Sequence, residues 1–517
     1  MSRTPAQRRQ RAMDYLEQGL LAPARAQLEA LEATAPADAG TQLLAAEIAW
    51  HDDRVRDSAT FALAAARLAT DDPDLGCDLV SALLRAGEVV AAREYLSKPG
   101  WSGGVSGACL ARLADFRLGF GEYAESLALL DEALATGKGT APIHFYRGRL
   151  LTFCGRLEEA ETEYLHSLRL EPTLGEAALA LATLRIQTLD SHHLPILQAG
   201  LQRVAHGTRD HAAFEFAHYK TLEDLGRYDE AWQALARGNA IMHARTRDYA
   251  QLQDAALQCS LEYYASHPLP QPADVPEGPQ PIFIIGLPRS GTTVLERLLG
   301  NHTQVTAAGE LFDFGRQLRW AGDHRHIQDD TFFRRMEGCD LGEVGRRYLA
   351  QTQWRAHGTR YFIDKQTSNW MVAGLLHAAL PGARILHLVR EPMDVCFSIF
   401  RAMFGDAYAI GNDLATLAAH YGKYRRLMSR WHALAPGAIL DVPYEKLVQS
   451  PETTLREVLA HCGLEWEPAC SDLSANRNPV STLSATQIRQ PLRAPSSGIW
   501  RRYAAPLRRL SEALSEG

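Results

Sequence analysis

Lysine is scarce in this 517-residue chain: six occur, while arginine supplies the other 48 positive charges. A lysine that does appear is a candidate for a task a planar guanidinium performs poorly, such as delivering a compact point charge. No apolar run approaches the roughly 18 residues of a membrane-crossing helix, so no helical span is expected. The basic start, MSRTPAQRRQRAMDYLEQ, has no apolar stretch behind it to make a secretory signal, and a cytoplasmic protein is expected. The eight cysteines are scattered, with none at CxxC spacing; Cys462 and Cys470 are the nearest pair. That pattern suits reduced thiols better than a disulfide framework or a zinc site, and no metal is expected. A net charge of −7 argues against a general nucleic-acid binder.

With 46% hydrophobic and 22% charged residues, the composition is that of globular protein. The length calls for two or more domains. The first part, to about residue 260, is rich in alanine and leucine and poor in strand signals. Gly87, Gly121 and Gly155 recur every 34 residues, and the same step back reaches Asp53 and Gly19. In the unit from Ala141 to Leu174, Gly148, Gly155, Ala160, Tyr164 and Pro172 occupy positions 8, 15, 20, 24 and 32. This pattern resembles the tetratricopeptide repeat, whose small residues let paired helices approach and whose proline ends the second helix. After Pro172 the register falters, and Gly226, Tyr228 and Ala231 resume it 71 residues after Gly155. Such an α-solenoid usually offers a concave face to peptide. A generic helical bundle is the alternative.

Six prolines lie between Pro268 and Pro281, which reads as a stiff linker between domains. Beyond it, short apolar runs (282–285, 385–389, 438–442) alternate with helix-like segments, the pattern of an α/β domain with a parallel sheet. The expected division is therefore 1–260, 261–281 and 282–517, with donor binding by the last part surviving removal of the first.

The second part opens on PIFIIGLPRSGTTVLERLL: a buried strand, a glycine loop and an amphipathic helix. Backbone N–H groups and the helix dipole of such a junction favour a phosphate. Arg289 adds a fork of charged donors and Thr292 and Thr293 add hydroxyls. The nucleotide-hydrolysing version of this loop carries a lysine before its hydroxyl residue, and none precedes Thr292 here. Further along, ARILHLVREPMDVCFSIFRAM places Arg390 at a strand end and Ser398 two helical turns later. That is the sheet edge where doubly wound folds bind nucleotides.

The loop Pro288-Arg289-Ser290-Gly291-Thr292-Thr293 resembles the sulfotransferase family, and the likeness runs over residues 280–505. It implies a P-loop-like α/β fold that uses PAPS as donor and releases PAP. Arg289, Ser290, Gly291, Thr292 and Thr293 would then hold the 5′-phosphosulfate, and Arg390 and Ser398 the 3′-phosphate. Arg401 lies one residue out of the spacing expected in tyrosylprotein sulfotransferases. In that branch the general base is a glutamate just after the first helix, a position matched by Glu310 in Ala-Gly-Glu-Leu; His302 and Asp313 compete for the role. Lys365, in Tyr361-Phe362-Ile363-Asp364-Lys365, matches the lysine that assists departure of the leaving group, with an ion pair to Asp364 as the bland alternative. Tyr444, in Tyr444-Glu445-Lys446-Leu447, and Ser497 (or Ser496), in Ser-Ser-Gly-Ile-Trp, match segments that lie over the donor.

These readings amount to an acceptor-hydroxyl sulfotransferase, with tyrosine in a peptide or protein as the acceptor; the repeats are open to holding that acceptor, a partner or a second copy of the chain. A carbohydrate or small molecule is the rival acceptor. A P-loop kinase or NTPase and an inactive repeat scaffold stand as readings from other classes. A homodimer is compatible with the sequence.

Overall fold

The computed structural model describes residues 4–68, 70–98, 105–275, 277–473, 476, 478–480 and 498–516. The N-terminal region is a succession of helix pairs: Pro5–Glu17 with Leu21–Glu32, Ala39–His51 with Val55–Ala66, Pro73–Ala86 with Val89–Leu96, Gly107–Gly119 with Tyr123–Ala135, and Ala141–Cys154 with Leu157–Leu170. Each pair turns on a left-handed residue: Gly19 (φ 72°), Asp53 (61°), Gly87 (87°), Gly121 (79°) and Gly155 (80°). The 34-residue period is thus the recurrence of a backbone conformation that glycine reaches without strain. Small residues sit where the paired helices cross. A methyl group at Gly148 would lie 2.7 Å from Tyr164 Cε1, and Ala160 is fully buried.

The register breaks between Gly175–Thr183 and Leu194–Leu201. A loop intervenes there, closed by Thr188 N to Ser191 O at 3.0 Å and the reverse bond at 3.1 Å. Helices Arg209–Asp224 and Tyr228–Ser266 follow, turning on Gly226 (φ 76°).

Five parallel strands form one sheet: β1 (Gln280–Ile285), β2 (Val305–Ala307), β3 (Tyr361–Asp364), β4 (Arg384–Val389) and β5 (Ile439–Pro443), in the order β2-β3-β1-β4-β5. β1 is central and apolar on both faces, as a strand covered from both sides must be. Ile282 and Ile284 pack with Leu295, Leu299 and Leu455. Phe283 and Ile285 face the larger core, with Phe314, Tyr348 and Leu427.

That larger core crosses the division expected at residue 260. Phe216, Tyr219, Leu235, Met242, Leu257 and Tyr264 join the same apolar cluster as Phe283 and Ile285. Asn239 Nδ2 donates to Phe400 O at 3.0 Å. The proline-rich stretch is docked rather than free: Ala273 N donates to Ala378 O at 2.9 Å. Part of the apolar core around the sheet is therefore supplied by helices that precede residue 261.

The turns of the helix pairs also dock on the sheet domain. Asp53 pairs with His324 and accepts from Arg325 N at 2.8 Å. Gln317 Nε2 donates to Gly87 O at 3.0 Å, and Arg347 pairs with Glu88. Arg355 reaches Phe120 O at 3.2 Å and Gly119 O at 3.3 Å. Three successive corners of the helix pairs thus meet the sheet domain, through the Asp53 carboxylate, the Gly87 carbonyl and the Gly119 and Phe120 carbonyls. Among the described residues, no helix is long and apolar enough to cross a membrane.

Candidate active site

The strand order reverses at β1, so the loop 286–291 leaves the sheet at its topological switch point, where open α/β sheets place ligands. Gly286 (φ 140°) and Gly291 (φ 107°) take left-handed conformations, and so does Arg289 (φ 68°). A non-glycine residue held there stores strain of a kind that clusters at binding sites. Helix Thr292–Leu299 begins immediately, with Gly291 as its N-cap.

Residues from four segments meet over this loop. Arg289 Nε donates to Ser398 Oγ at 3.3 Å, and Arg390 Nη1 donates to Arg289 O at 3.0 Å. The Arg390 guanidinium lies 4.7 Å from the Tyr444 ring centroid. Tyr444 in turn covers Gly291 so closely that a β-carbon there would lie 2.2 Å from its Cδ2; no other residue fits. Burial, with the charges of Arg401 and Arg390, pushes the Arg289 guanidinium down to about 10. Ser290, Thr292 and Thr293 are buried in the loop and first helical turn, and Ser290 Oγ is buried without a hydrogen-bond partner. A crowd of guanidiniums with an orphaned hydroxyl is the signature of an anion site, and fits a ligand with phosphate-like groups at both ends. Ser497 and Ser496 lie outside the described residues. Next to them, Gly498 N donates to Asp394 Oδ1 at 2.7 Å, tying the chain to the helix Pro392–Phe400 that carries Ser398.

A cavity of about 170 Å³ lies beside the loop, lined among others by Ser290, Arg390, Tyr424, Arg425 and His432. At its far end Asp441 Oδ1 meets His387 Nδ1 at 2.7 Å and His432 Nε2 at 3.0 Å.

The second constellation sits on the adjacent strand ends. Glu310 follows β2 and Lys365 follows β3, and Lys365 N donates to Gly309 O at 2.8 Å. Lys365 Nζ then reaches Glu310 Oε1 at 2.7 Å and Glu296 Oε2 at 3.8 Å. Lys365 is 1% exposed, whereas the Glu310 side chain is 40% exposed. One end of the pair is thus anchored and the other faces solvent. Burial works against the Lys365 ammonium, but Glu296 and Glu310 together raise its pKa above the ordinary value.

Glu296 was not foreseen among the site residues. It is buried, and that burial, partly offset by Lys365, raises its carboxyl above the usual range. The available signal was its place one turn after Thr292, among Leu295, Leu298 and Leu299, where a carboxylate needs a hidden partner. Asp364, the bland alternative partner of Lys365, instead accepts from Tyr348 Oη at 2.8 Å and Gln366 N at 3.0 Å, and burial pushes it up to about 7. The competing bases have other neighbours, although Asp313 Oδ1 is buried without a hydrogen-bond partner. His302 Nε2 bonds Glu465 O at 3.0 Å, and Asp313 lies 3.5 Å from Arg316. Arg401 pairs with Glu223 of the helix Arg209–Asp224.

Residues 281–468 match the sulfotransferase family. The C-terminal domain is a sulfotransferase-family domain. An uncharacterised protein of Aquifex aeolicus is 27% identical over 383 residues, covering 71% of this chain and 49% of that protein. Nodulation protein NoeE of Sinorhizobium fredii is 29% identical over 234 residues, covering 38% and 52%. Protein-tyrosine sulfotransferase A of Caenorhabditis elegans is 23% identical over 202 residues, covering 36% and 50%. The chain spans about half the length of these relatives. Both constellations are assembled around the sulfotransferase domain's sheet: the anion loop follows β1, and Glu310 and Lys365 close the neighbouring strands.

Proposed function

We propose that the protein transfers the sulfuryl group of PAPS to an acceptor hydroxyl and releases PAP. The observation that carries this reading is the convergence of Arg289, Arg390, Ser398 and Tyr444 on the loop 286–291, with Lys365 and Glu310 at the next strand ends. Arg289 and the loop N–H groups would hold the 5′-phosphosulfate, and Arg390 with Ser398 the 3′-phosphate. Glu310, open to solvent, would take the proton of the acceptor hydroxyl as its oxygen bonds to sulfur. Lys365 would meet charge growing on the phosphate oxygen as the sulfur–oxygen bond breaks.

Tyrosine in a peptide or protein is the acceptor we favour. A carboxylate base supports it, as does the similarity to a protein-tyrosine sulfotransferase. We read the helix pairs as tetratricopeptide repeats that join the sulfotransferase domain across residues 261–281 and hold the acceptor.

The test is calorimetric titration of the full chain with PAP and, in parallel, with ATP and magnesium. PAP binding at least about a hundredfold tighter, a difference of about 2.7 kcal/mol, is expected. The reverse order would overturn the donor assignment and favour a kinase. Sulfuryl transfer to tyrosine peptides against sugar acceptors then decides the acceptor.

A further inference from the structure

We infer that Glu223, in the N-terminal helical region, is a positioning residue of the donor site: it holds Arg401 for the nucleotide's 3′-phosphate. This rests on the donor reading above and extends the site to a segment outside the sulfotransferase match.

The geometry is specific. Ser398 and Arg401 are three residues apart at the end of the helix Pro392–Phe400, so they lie on one face. Ser398 is the residue that Arg289 touches, at 3.3 Å. Arg401 therefore sits one turn from the serine that Arg289 touches, close enough for its charge to depress the ionisation of Arg289.

On its other side Arg401 Nη2 pairs with Glu223 Oε2, a buried carboxylate whose side chain is 6% exposed. Glu223 Oε1 accepts from Tyr219 Oη at 3.0 Å and from Tyr503 Oη at 3.4 Å. The guanidinium lies 5.6 Å from the Tyr219 ring and 5.8 Å from that of Phe397. Two tyrosines orient the carboxylate, the carboxylate grips one nitrogen of the guanidinium, and two rings flank its plane. A guanidinium carries five N–H donors in a fixed fork, so pairing through Nη2 leaves donors for phosphate oxygens. Lysine would lack the planar fork that directs separate N–H groups at the two partners.

The burial has a further consequence. Arg289, Arg390 and Arg401 gather positive charge, and a buried ion pair broken on one side leaves an uncompensated charge. Glu223 keeps Arg401 in place between ligands. It reaches the site through the helix Arg209–Asp224, whose Ala212, Phe216, Tyr219 and Leu222 share the core of the sheet domain. The helical region thus belongs to the donor site as well as to any acceptor surface.

The experiment compares affinities of the full chain for PAP and for adenosine 5′-monophosphate, which lacks the 3′-phosphate. Wild type, Glu223→Gln, Tyr219→Phe and Arg401→Ala are titrated. Arg401→Ala is expected to lower the preference for PAP by about tenfold or more, as for a lost charge-assisted hydrogen bond. Glu223→Gln keeps the shape and should lower the same ratio by about fivefold, with monophosphate affinity changed less than about twofold. Tyr219→Phe, which removes only the hydroxyl, should move the ratio in the same direction by less, and carries the test if Glu223→Gln does not fold. If wild type prefers PAP and Glu223→Gln leaves the ratio unchanged, raises it, or weakens both ligands equally, the positioning role is refuted while the donor reading stands. A wild type that does not prefer PAP over the monophosphate removes the donor reading, and this inference with it.

Discussion

Replacing Lys365 by methionine keeps an unbranched side chain and deletes the charge that two carboxylates share. Glu310 can turn to water, since its side chain is 40% exposed, but Glu296 is buried and loses its ammonium partner, keeping the Gly309 N–H and the more distant charge of Arg297. Breaking a buried pair on one side costs about 3–5 kcal/mol. Part of that is returned, because the buried ammonium no longer has to be desolvated, so a net loss of about 2 kcal/mol is expected at pH 8. The loss should depend on pH with a definite sign. The folded-state pKa of Glu296 is already raised, and removing Lys365 raises it further. The folded protein then holds this proton more tightly than the unfolded chain, so stability is intact below the unfolded pKa of about 4.3 and falls as pH rises towards the folded value. Urea unfolding followed by circular dichroism at pH 5 and pH 8 checks both points. A deficit below about 0.5 kcal/mol at pH 8, the level of an ordinary surface change, would refute the role of Lys365 in neutralising Glu296. So would a deficit no smaller at pH 5.

Glu310→Ala should lower kcat for sulfuryl transfer by about a hundredfold or more while PAP affinity stays near that of wild type, as for a lost general base; unchanged turnover would return the role to His302 or Asp313. Gly291→Ala places a β-carbon within 2.2 Å of the Tyr444 ring at φ 107°, and PAP binding measured by calorimetry should be lost, with the doubly substituted Gly291→Ala, Tyr444→Ala chain no better because the backbone strain persists. A chain beginning at residue 267 should fail to yield soluble folded protein. It lacks Phe216, Tyr219, Leu222, Leu235, Met242, Leu257 and Tyr264, each contributing about 1.5–3 kcal/mol of burial against a typical total stability of about 5–15 kcal/mol. A chain beginning at residue 205 keeps those helices, and gel filtration with circular dichroism should distinguish the two.

What the sequence by itself determined are the features that depend on a few neighbouring residues. The 34-residue return of glycine marks the corners of the helix pairs, because a left-handed turn is a local demand that Gly19, Gly87, Gly121 and Gly155 meet. The strand, loop and helix around Arg289 follow from an apolar run, glycines and an amphipathic pattern in direct succession. Arg390 at a strand end and Ser398 two turns later needed only helical geometry to come within reach of one site. What the tertiary structure alone decided are pairings between distant segments. Nothing near Lys365 in the chain indicates that it passes over Asp364 to meet Glu310 and Glu296, 55 and 69 positions earlier. Nothing around Glu223 points to Arg401. The change of composition near residue 260 suggested a boundary, yet the apolar core continues across it. Composition and period report what each segment buries. Which segment it is buried against is set by packing, and the same packing fixes which buried charges must find one another.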